Sequence, residues 1–148
     1  MDAQNCNAAP EIRIMDGALL RASTACGVIV YRGFDWNAAR QKMLNAEVGS
    51  VFQDHGYVST TLYAPVAMNY IGGTCLLARI ELPPGSQAMY LGAIPGPPAA
   101  DSEYEFLLAR GLSFMITKRE IFRPPEGESD AGRAGKQVVL LHMKVVPA

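Results

Sequence analysis

Cysteine is sparse in this chain of 148 residues: only Cys6, Cys26 and Cys75 occur, an odd number with no CxxC pair. That excludes a disulfide framework and a zinc site built on paired thiolates. Histidine is scarcer still, with His55 and His142 alone and no HExxH, so no metal site is expected. Charge of one sign is also lacking. Thirteen Lys and Arg face fourteen Asp and Glu, for a net charge of −1. A domain that grips nucleic acid through a basic footprint is more basic than this, so nucleic acid is not the expected partner. No run approaches the roughly 18 apolar residues needed to cross a bilayer. The opening Met1-Asp2-Ala3-Gln4-Asn5-Cys6 has neither a basic n-region nor an apolar h-region. Neither a membrane partner nor a signal peptide is therefore expected. The phosphate-cradling GxGxxG and GxxxxGK[ST] loops and the GxSxG nucleophile elbow are missing too.

What is present is ordinary globular composition, 49% apolar and 18% charged, enough for one domain spanning residues 1–148. Residues 1–10 are small and polar and are expected to fray. Apolar spacing predicts a helix over Glu11–Ala25, with Ile12, Met15, Leu19 and Leu20 on one side, and another over Asn37–Ala46. Pro65–Ile71 reads as a short helix with proline in its first turn, stopped by Gly72-Gly73. Gly27–Gly33, Gly56–Leu62, Thr74–Leu82, Ala88–Leu91, Tyr104–Leu108, Ser113–Glu120 and Val138–Val146 read as strands. Gly92–Ser102, with Pro95, Pro97 and Pro98, must be a shaped loop. Glu126–Lys136 reads as an exposed hairpin loop. Many short strands joined by hairpin-type turns favour an α+β domain with a mostly antiparallel sheet.

Three segments place polar residues where sheet core is otherwise expected: Tyr31-Arg32-Gly33, Tyr57-Val58-Ser59-Thr60-Thr61, and Glu103-Tyr104-Glu105-Phe106-Leu107-Leu108-Ala109-Arg110-Gly111. A charge at such a position needs a partner or a ligand. Taken singly, each has an ordinary explanation: a strand-end arginine, an edge serine, two solvated carboxylates. Tyr57, Tyr63 and Tyr70 are by themselves core or interface aromatics, and His55 a loop histidine.

Together, in order, the three blocks resemble the Arg-Ser-Glu class of ADP-ribosyltransferases, which includes bacterial mono-ADP-ribosylating toxins. That class carries an aromatic-Arg-Gly strand end, a Ser-Thr-Ser strand, and Glu-x-Glu followed by Leu-Leu-x-Arg-Gly. Here Arg32 to Ser59 spans 27 positions and Ser59 to Glu103 spans 44, in the family's range. The resemblance covers about residues 28–146. It implies the ADP-ribosyltransferase fold, two packed and mostly antiparallel sheets around an NAD cleft with short flanking helices. NAD is implied as the substrate, with no metal. Arg32, Ser59, Glu103 and Glu105 are implied as catalytic, and Arg32, Gly33, Ser59, Thr60, Tyr70 and Glu105 as NAD-binding. The first Glu of Glu-x-Glu implies an arginine acceptor on a target protein. Thr61 replaces the usual final Ser. Asn69 and Tyr70 stand in the segment where members often carry an arginine, and Gly92–Ser102 lacks the aromatic often found there.

The chemistry agrees with these assignments. A guanidinium suits a pyrophosphate. A glycine backbone admits close approach of an amide. A carboxylate stabilises an oxocarbenium-like ribosyl cation. Residues two apart on a strand share a face, so Glu103 and Glu105 are expected to enter one cleft. With the same site, water as acceptor makes an NAD glycohydrolase, and a nucleic acid makes a different transferase. A non-catalytic docking module on the same scaffold is the reading from another class. The resemblance also implies a bacterial toxin or effector that is secreted or translocated into a target cell, an immunity protein as a second partner, and a chain that is either compact or a catalytic fragment.

Overall fold

The computed structural model describes residues 3–34, 42–68, 71, 76–91, 104–123 and 137–147, with the side chains of the first helix described from Pro10 onward. Its elements are α1 (Ala3–Arg21), β1 (Val28–Phe34), β2 (Val51–Gln53), β3 (Val58–Thr61), α2 (Ala64–Met68), β4 (Leu76–Leu82), β5 (Ala88–Tyr90), β6 (Glu105–Leu108), β7 (Ser113–Phe122) and β8 (Val138–Val146). The strands form one hydrogen-bonded sheet in the order β2-β7-β8-β4-β1-β3-β6-β5. All ladders are antiparallel except β4–β8.

The expectation of two separate sheets is thereby corrected. The reason lies at the seam between β1 and β3, where the ladder is a single pair, Tyr31↔Thr61. On one side, β1 pairs with β4 along all seven of its residues, Val28↔Leu82 to Phe34↔Leu76. On the other, β3 pairs with β6 from Val58↔Leu108 to Thr61↔Glu105. Two well-laddered halves are thus joined by one bridge.

Strand alternation builds the core. Val30 and Phe34 of β1, Leu76, Ala78, Ile80 and Leu82 of β4, Leu141 and Met143 of β8, and Phe114 and Ile116 of β7 are buried in one cluster. Val58, Leu108 and Ala88 extend it under the β3-β6-β5 half. A second, smaller cluster on the opposite face packs Ala67 and Ile71 against Leu77 and Val138. Full burial of one such side chain contributes about 1.5–3 kcal/mol.

The turn between β4 and β5 has a legible cause. Pro84 and Gly85 hold its centre, Gly85 has φ 83°, and Ser86 N donates to Pro83 O at 3.2 Å. Proline followed by a positive-φ glycine is the signature of a type II turn. Thr24 locks that turn to the segment after α1: its hydroxyl donates to Pro83 O at 3.0 Å and accepts from Ser86 N at 3.1 Å.

Several expectations shift. Residues 3–10, expected to fray, begin α1 despite Pro10. The helix ends at Arg21 rather than Ala25, because Thr24 serves the β4–β5 turn. Leu19 is buried as expected, but Leu20, one residue and about 100° further round the helix, is 70% exposed. Of Asn37–Ala46, residues 42–44 are helical, and residues 37–41 lie outside the described residues. Likewise outside are Gly72-Gly73, Gly92–Ser102, Glu103 and the Glu126–Lys136 loop. The helix expected over Pro65–Ile71 is α2, Ala64–Met68. The three-residue β2, paired to β7 as Val51↔Met115 to Gln53↔Ser113, was not anticipated.

Candidate active site

Arg32 occupies a core position. It lies between Val30 and Phe34, both buried, on the face of β1 that otherwise packs the main cluster. Its guanidinium carbon stands 5.4 Å from the Phe34 ring centroid, within cation–π range. Its Nη1 donates to the backbone carbonyl of Ser59 at 3.1 Å. The arginine therefore spans the β1–β3 seam at the place where the ladder is thinnest.

Ser59 and Glu105 come together on neighbouring strands. Ser59 pairs with Leu107 and Thr61 with Glu105, so Ser59 and Glu105 are diagonal neighbours on one face, within side-chain reach. Ser59 Oγ donates to Glu105 Oε1 at 2.6 Å, a short charge-assisted bond. The result is a chain of contacts across three strands, from Arg32 on β1 through Ser59 on β3 to Glu105 on β6. Gly33 follows Arg32 on β1, paired with Leu77 of β4.

Thr60 does something else. Its side chain is buried, and its hydroxyl donates to Phe106 O at 2.8 Å. It staples β3 to β6 on the face opposite Ser59. Glu103 and Tyr70 lie outside the described residues. β6 begins at Glu105, and Tyr104 before it has φ 48°. Strand alternation therefore does not run back through Tyr104. A left-handed tyrosine is an uncommon conformation, costing about 1–3 kcal/mol, and such residues cluster at functional sites.

A cavity of about 360 Å³ opens beside Arg32. Phe34, Met43, Phe52, Ile80, Phe114 and Met143 make its apolar wall, and Asp54 and His55 also line it. Arg32 is common to this cavity and to the three-strand chain, whereas Ser59 and Glu105 stand outside the lining. The site thus offers a cation in the cavity lining and, two strands away, a carboxylate held by a serine. Those groups fit a dinucleotide with an anionic pyrophosphate and a ribose carrying developing positive charge. Among the described residues, no group of three His, Cys, Asp or Glu could hold a metal ion.

A second polar cluster ties α1 to the same strands; Tyr57 and Arg110 stood in the sequence blocks, whereas Asp16 carried no signal there. Tyr57, just before β3, donates its hydroxyl to Asp16 Oδ1 at 2.6 Å and lies 3.0 Å from Ile12 O. Arg110, just after β6, donates to Asp16 through Nε at 3.0 Å and also through Nη2. Its guanidinium carbon lies 5.6 Å from the Tyr57 ring centroid. Hydrogen bonding from Arg110, then from Tyr57, holds the Asp16 carboxyl below its usual range. Burial, then the Asp16 carboxylate, pushes the Tyr57 phenol up. The motif's Arg110 is thus occupied by Asp16, and Tyr57 is an interface aromatic, as expected.

The profile of the ADP-ribosyltransferase exoenzyme family matches residues 2–140. The chain belongs to that family. Its members are bacterial toxins that transfer ADP-ribose from NAD. Among solved structures it is similar to Plx2a, an ADP-ribosyltransferase toxin from Paenibacillus larvae, at 21% identity and TM-score 0.69, over 98% of this chain and 74% of that one. It is also similar to the ADP-ribosylating toxin BECa of a C. perfringens binary enterotoxin, solved with NADH, at 19% identity and TM-score 0.72, over 99% of this chain and 36% of that one. The enzymatic component C2-I of the Clostridium botulinum C2 toxin matches at 14% identity and TM-score 0.73, over 97% of this chain and 37% of that one. These likenesses establish the ADP-ribosyltransferase toxin fold. Comparison with curated protein sequences gives no match.

Proposed function

We propose that this ADP-ribosyltransferase modifies arginine side chains of a target protein. The observation that supports the reading best is the contact chain Arg32–Ser59–Glu105 across β1, β3 and β6, with Glu103 two positions before Glu105.

Each residue has a role in this proposal. Arg32 binds the pyrophosphate of NAD as a charge-assisted donor. The Gly33 backbone receives the nicotinamide amide. Ser59 holds Glu105 by its 2.6 Å bond and acts as a positioning residue. Glu105 grips a ribose hydroxyl and stabilises the positive charge that develops at the anomeric carbon as the bond to nicotinamide breaks. Nicotinamide leaves with that bond's electron pair. An acceptor nitrogen supplies the pair for the new bond, and its proton passes to Glu103. A carboxylate beside a guanidinium makes physical sense of an arginine acceptor. As a member of an exoenzyme toxin family, the protein acts on its targets after secretion or translocation from a bacterium, and an immunity protein covers the cleft in the producing cell.

The test is to incubate the protein with NAD and a cell lysate and to locate the modified side chain by mass spectrometry. Modification of arginine, lost in Glu103→Ala, is the expected result. Modification of another residue type overturns the acceptor assignment. Nicotinamide release without any modified protein overturns protein transfer in favour of hydrolysis or a nucleic-acid acceptor.

A further inference from the structure

Two tyrosines stand at the end of the ladder that carries Ser59 and Glu105. Tyr63 follows β3, and Tyr104 immediately precedes Glu105. Leu62 N donates to Tyr104 O at 3.1 Å, which extends the β3–β6 pairing one step past Thr61↔Glu105. The two rings pack on each other, with centroids 4.6 Å apart and planes at 52°. Even so, Tyr63 is 49% exposed and Tyr104 41% exposed. Tyr63 N is anchored to Thr61 Oγ1 at 3.2 Å, and Tyr104 holds φ 48°. Aromatic rings this exposed gain little from burial, and a tyrosine pays backbone strain in this conformation. The fold thus presents an aromatic ledge at the end of this ladder, one residue along the chain from Glu105.

The chemistry of the ledge selects its occupant. Ring faces carry negative electrostatic potential and attract cations, guanidinium above all. A carboxylate next to them reinforces that preference. We propose that Tyr63 and Tyr104 form the acceptor subsite, holding the planar guanidinium of the incoming arginine against Glu105. This inference rests on the arginine reading above and adds to it the residues that select the acceptor. The ring faces, not the hydroxyl groups, do the work.

The experiment uses agmatine as a small guanidino acceptor, with NAD, on the wild type and on Tyr63→Ala, Tyr104→Ala, Tyr63→Phe and Tyr104→Phe. KM for agmatine, KM for NAD and kcat are measured for each, with thermal melting to confirm folding. Each alanine variant is expected to raise KM for agmatine about threefold to tenfold, the range of a partly exposed cation–π contact, and to move KM for NAD less. Each phenylalanine variant restores KM for agmatine to within about twofold, since the ring is kept. An unchanged agmatine KM in both alanine variants overturns the ledge. A rise confined to KM for NAD overturns it too, and assigns the rings to the nicotinamide. If the wild type modifies no guanidino compound while labelling protein elsewhere, the arginine reading has failed and takes the ledge with it. That failure is visible in the wild type alone, before any variant is compared.

Discussion

Replacing Ser59 by Ala removes one contact and leaves its neighbour intact. The Arg32 bond goes to the Ser59 backbone carbonyl, which alanine keeps. Only the 2.6 Å bond from Oγ to Glu105 is lost. Hydrogen bonds to charged groups contribute about 1.5–3 kcal/mol, and solvent at this exposed pair brings the figure to about 1–1.5 kcal/mol. At about 1.4 kcal/mol per factor of ten, kcat/KM should fall about five- to tenfold. Glu105→Gln removes the charge proposed to meet the ribosyl cation and should cost about two to three orders of magnitude. If Ser59 acts through Glu105 as proposed, the double variant should be no slower than Glu105→Gln alone. Initial rates of nicotinamide release over a range of NAD concentrations measure all three. A Ser59→Ala loss as large as that of Glu105→Gln, or additive losses in the double variant, would refute the positioning role.

Three further outcomes follow from the rest of the fold. Leu141, fully buried where β8 lies between β4 and β7, should cost about 2–5 kcal/mol on truncation to Ala; a denaturant midpoint unmoved by Leu141→Ala would contradict the assigned core. Asp16→Asn loosens the clamp from α1 to Tyr57 and Arg110, so amide exchange should quicken first in α1, and uniform exchange would count against a local clamp. Lys118, then His142, hold the Glu120 carboxyl down to about 2 from 4.5. A depressed carboxylate contributes stability that is full above its unfolded value and lost as pH falls through its folded value. The melting-temperature gap between wild type and Glu120→Gln should therefore narrow from pH 6 towards pH 2, and a constant gap would refute the linkage.

The strands were legible because alternation and β-branched runs survive in the sequence. β8 falls at Val138–Val146, the bounds its apolar run predicts. β2 was not legible, since Val51-Phe52-Gln53 is three residues long and mostly exposed, and only its pairing with β7 defines it. Arg32, Ser59 and Glu105 were legible as motif residues, but their arrangement was not. A one-pair seam between β1 and β3 is a tertiary fact. So are the burial of Thr60 and its bond to Phe106 O. Asp16 carried no signal, because its partners Tyr57 and Arg110 are distant in the chain. The ring contact between Tyr63 and Tyr104 was hidden for the same reason. Tyr104 read as the first strand residue, whereas its left-handed backbone lifts it out of β6.

Transfer of labelled ADP-ribose from NAD to proteins of a cell lysate, by the wild type and by Glu105→Ala side by side, decides whether Glu105 takes part in the reaction. A discrete labelled band with the wild type, absent with a folded Glu105→Ala, is the predicted result. Equal labelling by both proteins would contradict the proposed role of Glu105 at the reacting centre.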